Sequence, residues 1–417
     1  MINYESYLSV SGTRMQQSPI RQMGTVAAQN PDIISFAPGY PAPEAFAWDD
    51  YREIATSLLA GRQGGVLQYG PTRGHKPLLE FLVSLVGTRG IRTSTDDIIV
   101  TTGSQQGLDV IARLLLDPGD VALVELPSYA GAITAFRNVR ADLVGVRQDR
   151  AGVDLDHLDS LTDRLAREGR RPKFLYVVPN FQNPTGQLMS LARRAALLEW
   201  AERRDMLLVE DDPYGALYFE GAATPAETRP IKADDASGRV LYLSSFSKTL
   251  APAFRVAWVV APTALASRIE TAKQALDLCT GSFDQHMVYE ACRRGVLDRH
   301  VPVLRAHYQH KCGVMERALR DRLQGQAHWM PPRGGFFLWV ELPEHIDAGR
   351  MLERCLRRGV IYVAGRAFFV DGSGAHTVRL AFSAASADRI VEGINRMGEA
   401  FSEESAQPQA PVAVHQE

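Results

Sequence analysis

Lys248 closes the run Ser244-Ser245-Phe246-Ser247-Lys248, directly behind the apolar stretch Val240-Leu241-Tyr242-Leu243, and Arg255 follows seven positions later. An amine on a hydroxyl-rich loop at the end of a buried strand can form an imine with an aldehyde cofactor, while neighbouring Ser and Arg groups suit that cofactor's phosphate. Asp211 and Tyr214 stand in Glu210-Asp211-Asp212-Pro213-Tyr214, behind Met206-Leu207-Leu208-Val209. A carboxylate in a dry site stabilises the cationic form of a nearby pyridine ring, which makes that ring a better electron sink. Tyr214 and Asn183, the latter in Pro179-Asn180-Phe181-Gln182-Asn183-Pro184-Thr185-Gly186, can both donate to a ring oxygen.

Gly103-Ser104-Gln105-Gln106-Gly107 opens the apolar-periodic Leu108 to Leu116. A glycine turn with a serine cap leaves backbone N–H groups and the positive helix end for a phosphate. Tyr129, in Pro127-Ser128-Tyr129, can stack on a flat ring, and the Arg379 fork suits a carboxylate. Each segment also has a plainer reading. Gly103-Ser104 makes an ordinary helix start, Asn-Pro-Thr-Gly an ordinary turn, Asp211 a solvated acidic cap, Tyr129 a core aromatic and Arg379 an outward edge-strand residue. Position favours chemistry, since Gly103, Asn183, Asp211 and Lys248 all follow strands, where ligands of open α/β sheets gather.

The elements that must position these groups are short β-branched runs alternating with helix-like segments. Strands are expected at Ile98 to Thr102, Val121 to Val124, Phe174 to Val178, Met206 to Val209, Val240 to Leu243 and Val256 to Val260. Their near-continuous apolarity reads as an α/β domain with a mainly parallel central sheet covered on both faces. Beyond about Gln285 come Arg-rich helical stretches and then the runs Phe336 to Val340, Val360 to Val363 and Val378 to Phe382, which suggest a smaller α+β domain. The expected division is residues 1–45 as an arm with part of the small domain, 46–290 as the large domain, 291–400 as the small domain and 401–417 as a disordered tail.

Lys+Arg 46 against Asp+Glu 48 gives a net charge of -2 over 417 residues, so neither nucleic acid nor a membrane is expected as a partner. No run approaches the ~20 apolar residues of a membrane span, and the first residues lack an apolar export signal, so the expected location is the cytoplasm. Cys279, Cys292, Cys312 and Cys355 have no metal-type spacing and read as reduced thiols. No metal is expected: His300, His307 and His310 read as a solvated helix face, as do the pairs Arg193-Arg194, Arg203-Arg204 and Arg293-Arg294.

In order and spacing, Gly103-Ser104-Gln105, Tyr129, Asn183-Pro184-Thr185-Gly186, Asp211-x-x-Tyr214, Ser245-x-Ser247-Lys248 with Arg255, and Arg379 resemble the fold-type I, pyridoxal phosphate (PLP)-dependent class I/II aminotransferases. Ser35-Phe36-Ala37-Pro38-Gly39, Leu67-Gln68-Tyr69 and Arg333-Gly334-Gly335-Phe336 resemble the branch holding 2-aminoadipate and kynurenine aminotransferases. The resemblance implies a ping-pong transfer of an amino group between an α-amino acid and a 2-oxo acid. It makes Lys248 the imine-forming lysine and base, and pairs Asp211 with the ring nitrogen. Tyr214 and Asn183 then meet the ring oxygen, Tyr129 stacks, and Ser104, Gln105, Ser245, Ser247 and Arg255 bind phosphate. Arg379 takes the α-carboxylate, with Asn183, Gly39, Arg21 and Tyr40 as further substrate contacts. The family also implies a homodimer in which Tyr69 reaches the partner's phosphate site.

Two features depart from the family pattern. Phe254 precedes the phosphate arginine where many relatives have glycine, and Pro38-Gly39-Tyr40 replaces a Gly-Gly pair. Arg21 points to an acidic substrate side chain and Tyr40 to a flatter one. Two other functions share the scaffold: a different PLP reaction (decarboxylation, β-elimination or oxidation), and a regulatory PLP domain, which calls for a DNA-binding segment before the arm.

Overall fold

The computed structural model describes residues 2–15, 17 and 19–406. Its central sheet has eight strands in the order Ile98–Thr102, Val256–Val260, Val240–Ser245, Leu207–Asp211, Pro172–Val177, Val121–Leu126, Asp142–Asp149 and Gly152–Val153. Neighbours from Val240–Ser245 to Asp142–Asp149 are parallel, and Val256–Val260 is antiparallel to both of its partners. This is the expected α/β architecture with a mainly parallel sheet.

Successive side chains of a strand leave opposite faces, and the packing follows that period. Ile98, Val100 and Trp258 pack with Tyr51, Ile54, Leu78 and Leu82 of the helices Trp48–Ala60 and Lys76–Gly87. Ile99 and Val259 face the other way, onto Leu108 and Ile111 of the helix Ser104–Leu115. Burying each such aliphatic side chain contributes about 1.5–3 kcal/mol, so a sheet apolar on both faces is held between two helical layers. Asp142–Asp149 and Gly152–Val153 were not expected from sequence, because their acidic ends and partial exposure mask the apolar pattern.

The second sheet has Thr377–Ala381 at its centre, antiparallel to Phe337–Glu341 on one side and Val363–Ala364 on the other. The run Val360 to Val363, expected as one strand, divides: Val360–Ile361 instead pairs in parallel with Ile34–Ser35. The helix Val296–Leu323 serves two cores. Val296 and Leu297 pack against the central-sheet layer, whereas Leu304, Tyr308 and Met315 join Phe336, Leu380 and Phe401.

The chain departs from the sequence reading at three further places. The helix Ala387–Ser405 runs into the segment expected to be a tail, because Phe401 and Glu404 are buried and Glu404 pairs with Arg350 and Arg354 at 3.0 and 2.7 Å. Positions 407–417 lie outside the described residues. Arg194 is buried, not solvated: its guanidinium donates to the carbonyls of Pro179, Met189 and Arg229 and to Asn180 Oδ1. His300 and His307 are half-buried, with His307 Nε2 3.6 Å from Glu44, so only His310 of the three stands on an exposed face. All four cysteines are free thiols.

Candidate active site

Every strand end that carries a candidate residue opens onto one cavity of about 500 Å³. Ser104, Gln105, Tyr129, Asn183, Asp211, Tyr214, Ser245, Ser247, Lys248, Arg255 and Arg379 line it, as do Gly39 and Tyr40 from the N-terminal segment. Tyr69 does not; it is 78% exposed on the outside of its own chain, beside exposed Leu67. Arg21 lies on the helix Pro19–Gln29, and its side chain is outside what the structure describes; its neighbour Ile20 does line the cavity.

Lys248 sits in the turn after Val240–Ser245, with Nζ 3.1 Å from the Gly39 carbonyl and 5.8 Å from the centre of the Phe336 ring. Below it the serines brace each other: Ser245 Oγ donates to Ser247 Oγ at 2.8 Å and accepts from the Ser247 N–H at 2.9 Å. Arg255 takes up a left-handed backbone (φ 52°) behind the short helix Pro252–Phe254. That is a backbone region in which glycine is favoured, and here an arginine occupies it. Its Nη2 donates to the Thr102 carbonyl at 3.3 Å, across Gly103. A Cβ on Gly103 would come within 2.2 Å of that nitrogen, and Gly103 has φ +77°, so only glycine lets the arginine reach the helix start. Gly103, not Ser104, is the helix cap; Ser104 is the first helical residue and no side chain caps this end, which corrects the serine-cap expectation.

Asp211 is buried at the end of Leu207–Asp211. One oxygen, Oδ2, accepts from the Tyr176 hydroxyl at 2.9 Å, while Oδ1 has no hydrogen-bond partner among the described residues. Burial lifts its carboxyl to about 7; the Tyr176 hydrogen bond opposes the rise and Asp212 adds to it. Asp212 itself faces away, held by Arg89 at 2.6 Å, Asn180 at 3.0 Å, Tyr242 at 3.1 Å and the Gly215 N–H at 2.9 Å. Tyr214, edge-on to Phe336 and Phe337, is held un-ionised by burial.

Arg379 occupies the central strand of the small sheet, fully buried, so the outward edge-strand alternative is overturned. Its guanidinium lies between the rings of Phe337 and Phe368, 4.4 and 4.9 Å from their centres, and donates to Asn183 Oδ1 at 2.8 Å and to the Ala37 carbonyl. Burial pushes it down to about 10, against Tyr214 and Tyr129. The cavity also takes in Tyr176, Gly131, Thr134, Val178, Pro213, Pro252 and Phe337, none of which was singled out from sequence. Tyr176 sits inside an apolar run and Phe337 beside a Gly-Gly turn, so both read simply as core.

Two arginines, a lysine and a buried acid with one oxygen unmatched among the described residues thus line a single cavity. The family model "Aminotransferase class I and II" matches residues 43–396. The chain belongs to the class I and II aminotransferases. It is 39% identical to aromatic-amino-acid aminotransferase 1 of Thermococcus litoralis over 97% of this chain and 96% of that one. It is 38% identical to the 2-aminoadipate transaminase of Thermus thermophilus, over 93% and 94% of the two chains. The crystal structure of Pyrococcus horikoshii kynurenine aminotransferase, in complex with PMP, superposes with a TM-score of 0.92 at 39% identity, covering 97% and 99%. This aminotransferase is thus an enzyme of the fold-type I, PLP-dependent kind, in the branch expected from sequence.

Proposed function

We propose that the cavity holds PLP between Arg255 and Asp211 and works as the transamination site, with Arg379 receiving the α-carboxylate of each substrate. The observation that carries this reading is the unmatched Asp211 Oδ1: a buried carboxylate oxygen on a cavity wall is costly unless something donates to it, and a protonated ring nitrogen does. When bound, the coenzyme supplies an aldehyde that accepts the amino group and a ring that takes up electrons as the α-proton leaves.

The protein's part is positioning and proton handling. Lys248 Nζ would hold the aldehyde carbon and, once the substrate's own amine has displaced it, would be free as the base that takes the proton from the substrate's α-carbon. Arg255, Ser104, Gln105, Ser245 and Ser247 hold phosphate at the N-terminal end of Ser104–Leu115, where the helix dipole favours an anion. Tyr129 stacks on the ring, and Tyr214 and Asn183 meet its oxygen. Asn183 also touches Arg379, so the ring oxygen and the substrate carboxylate are read by joined groups.

The amino donor is an α-amino acid. The named relatives act on aromatic, aminoadipate and kynurenine substrates, and the residues proposed to choose among such side chains are Gly39 and Tyr40, which line the cavity, together with Arg21. Two copies assemble with shared sites; Tyr69 and Leu67, 78% and 75% exposed, support that reading. The large domain is 46–290 and the small one runs from 291 through the end of the helix Ala387–Ser405, with Val296–Leu323 packing on both. Among the described residues no helix is long and apolar enough to cross a membrane, and the free thiols support a cytoplasmic location. The test is absorbance and product analysis. Purified protein should show the visible band of lysine-bound coenzyme, lose it in Lys248→Ala, and convert 2-oxoglutarate or pyruvate to its amino acid. Release of carbon dioxide or ammonia without amino transfer rejects the assignment.

A further inference from the structure

Asp211 has two buried oxygens, and among the described residues only one of them has a hydrogen-bond partner. The donor is Tyr176, on Pro172–Val177, the strand next to that of Asp211, paired so that Tyr176 lies beside Val209. Its ring is fully buried, wedged edge-on against Phe136 at 5.7 Å, and the hydroxyl is 2.9 Å from Oδ2. That contact does two things. It fixes the carboxyl plane, with Oδ1 left unmatched on a residue that lines the cavity, and it stabilises negative charge on an acid that burial pushes toward its neutral form. The other charged groups near Asp211 are Asp212, which opposes that charge, and Lys248, which favours it. Lys248 is the group that bonds the coenzyme, so Tyr176 is the protein's standing counterweight.

We infer that Tyr176 is a positioning residue that keeps the shared proton on the coenzyme's ring nitrogen rather than on Asp211. This rests on the reading of the pocket given above. In a medium of low polarity, a neutral acid beside a neutral pyridine competes with a carboxylate beside a pyridinium. No atoms are gained or lost between the two; one proton moves across one hydrogen bond. A donor on the far oxygen lowers the basicity of Asp211 and tips the proton to nitrogen, where it strengthens the electron sink.

The experiment uses holoenzyme reconstituted with nitrogen-15-labelled PLP, comparing wild type with Tyr176→Phe. The variant keeps the ring and its packing and should still take up coenzyme. Its ring nitrogen-15 resonance should move towards that of unprotonated pyridine. Its kcat should fall about ten- to a hundredfold, the loss expected for one hydrogen bond to a charged group, with KM for the amino acid within about twofold because Arg379 and Asn183 are untouched. Phe136→Leu loosens the same ring but spares the hydroxyl, so its resonance should stay put. Coenzyme-loaded Tyr176→Phe with an unchanged resonance overturns the inference alone, and an equal shift in Phe136→Leu overturns it in favour of packing. A wild-type chain that takes up no coenzyme sinks both the inference and the reading beneath it.

Discussion

Arg379 shows how much one side chain is asked to do. It is fully buried between two aromatic faces, its partners are a side-chain amide and a backbone carbonyl, and Nε finds no acceptor among the described residues. A buried cation with spare donors is poised for an anion, and a planar fork matches a carboxylate as a lysine does not. Arg379→Lys should raise KM for both amino acid and 2-oxo acid about a hundredfold, with coenzyme absorbance unchanged; steady-state kinetics beside a spectrum checks both. Asp211 carries the opposite cost. Its carboxyl is raised to about 7, so in the coenzyme-free chain its contribution to stability is full below the ordinary carboxylate range and is lost as pH rises through 7. Asp211→Asn removes that loss, and the coenzyme-free variant should melt above coenzyme-free wild type at pH 8, by a margin that shrinks towards pH 5. The same change should cost about 10²–10³ in kcat by removing the charge opposite the ring. A variant no more stable than wild type at pH 8 would show that Asp211 is not the strained acid its surroundings make it.

At the level of elements, the end of the cavity proposed to take the phosphate depends on two local conformations meeting. Ser104–Leu115 begins at a glycine with φ +77°, and Arg255 crosses that glycine to reach Thr102. Gly103→Ala places a methyl against the guanidinium and strains the backbone by about 1–3 kcal/mol. The expected result is a coenzyme dissociation constant raised at least tenfold, with kcat at saturating coenzyme close to wild type, read by titrating apoprotein. Residues like these were legible in the sequence because a strand's end is marked by Gly, Pro or Ser, and the groups that follow such marks are few. The apolar strands Val240–Ser245 and Val256–Val260 were legible for the same reason, being unbroken between turns. What stayed hidden had polarity that only tertiary contact reveals: Tyr176 reads as core until Asp211 is beside it, and Arg194 as solvated until four acceptors surround it. The strand Asp142–Asp149 was hidden by its own charged ends, and Ser402–Ser405 by a polar composition that conceals the buried Glu404.

Across the whole molecule, Arg379 of the small sheet is tied to the central sheet through the turn that carries Asn183, and Glu125 anchors that turn. Its Oε2 accepts from the Val178 N–H at 2.9 Å and Gln182 Nε2 at 2.6 Å; Gln182 adjoins Asn183, which holds Arg379 across the cavity. Glu125 is fully buried, and that burial lifts its carboxyl to about 8, against the hydrogen bonds from Gln182 and Val178. A carboxyl raised on folding gives stability that is complete below its ordinary range and drains away as pH climbs to 8, after which the dependence is flat. Glu210 and Asp211, each lifted to about 7, drain over an overlapping window, so the slope of wild type alone assigns nothing. The difference between wild type and Glu125→Gln does, because only one of the three is changed. Glutamine keeps an acceptor in the same place and cannot ionise. The melting temperature of Glu125→Gln minus that of wild type should therefore rise from pH 5 to pH 8 and level off beyond it. Parallel melting curves at all pH values would mean that Glu125 is ionised throughout, and that the turn joining the two sheets is held by a carboxylate rather than by a neutral acid.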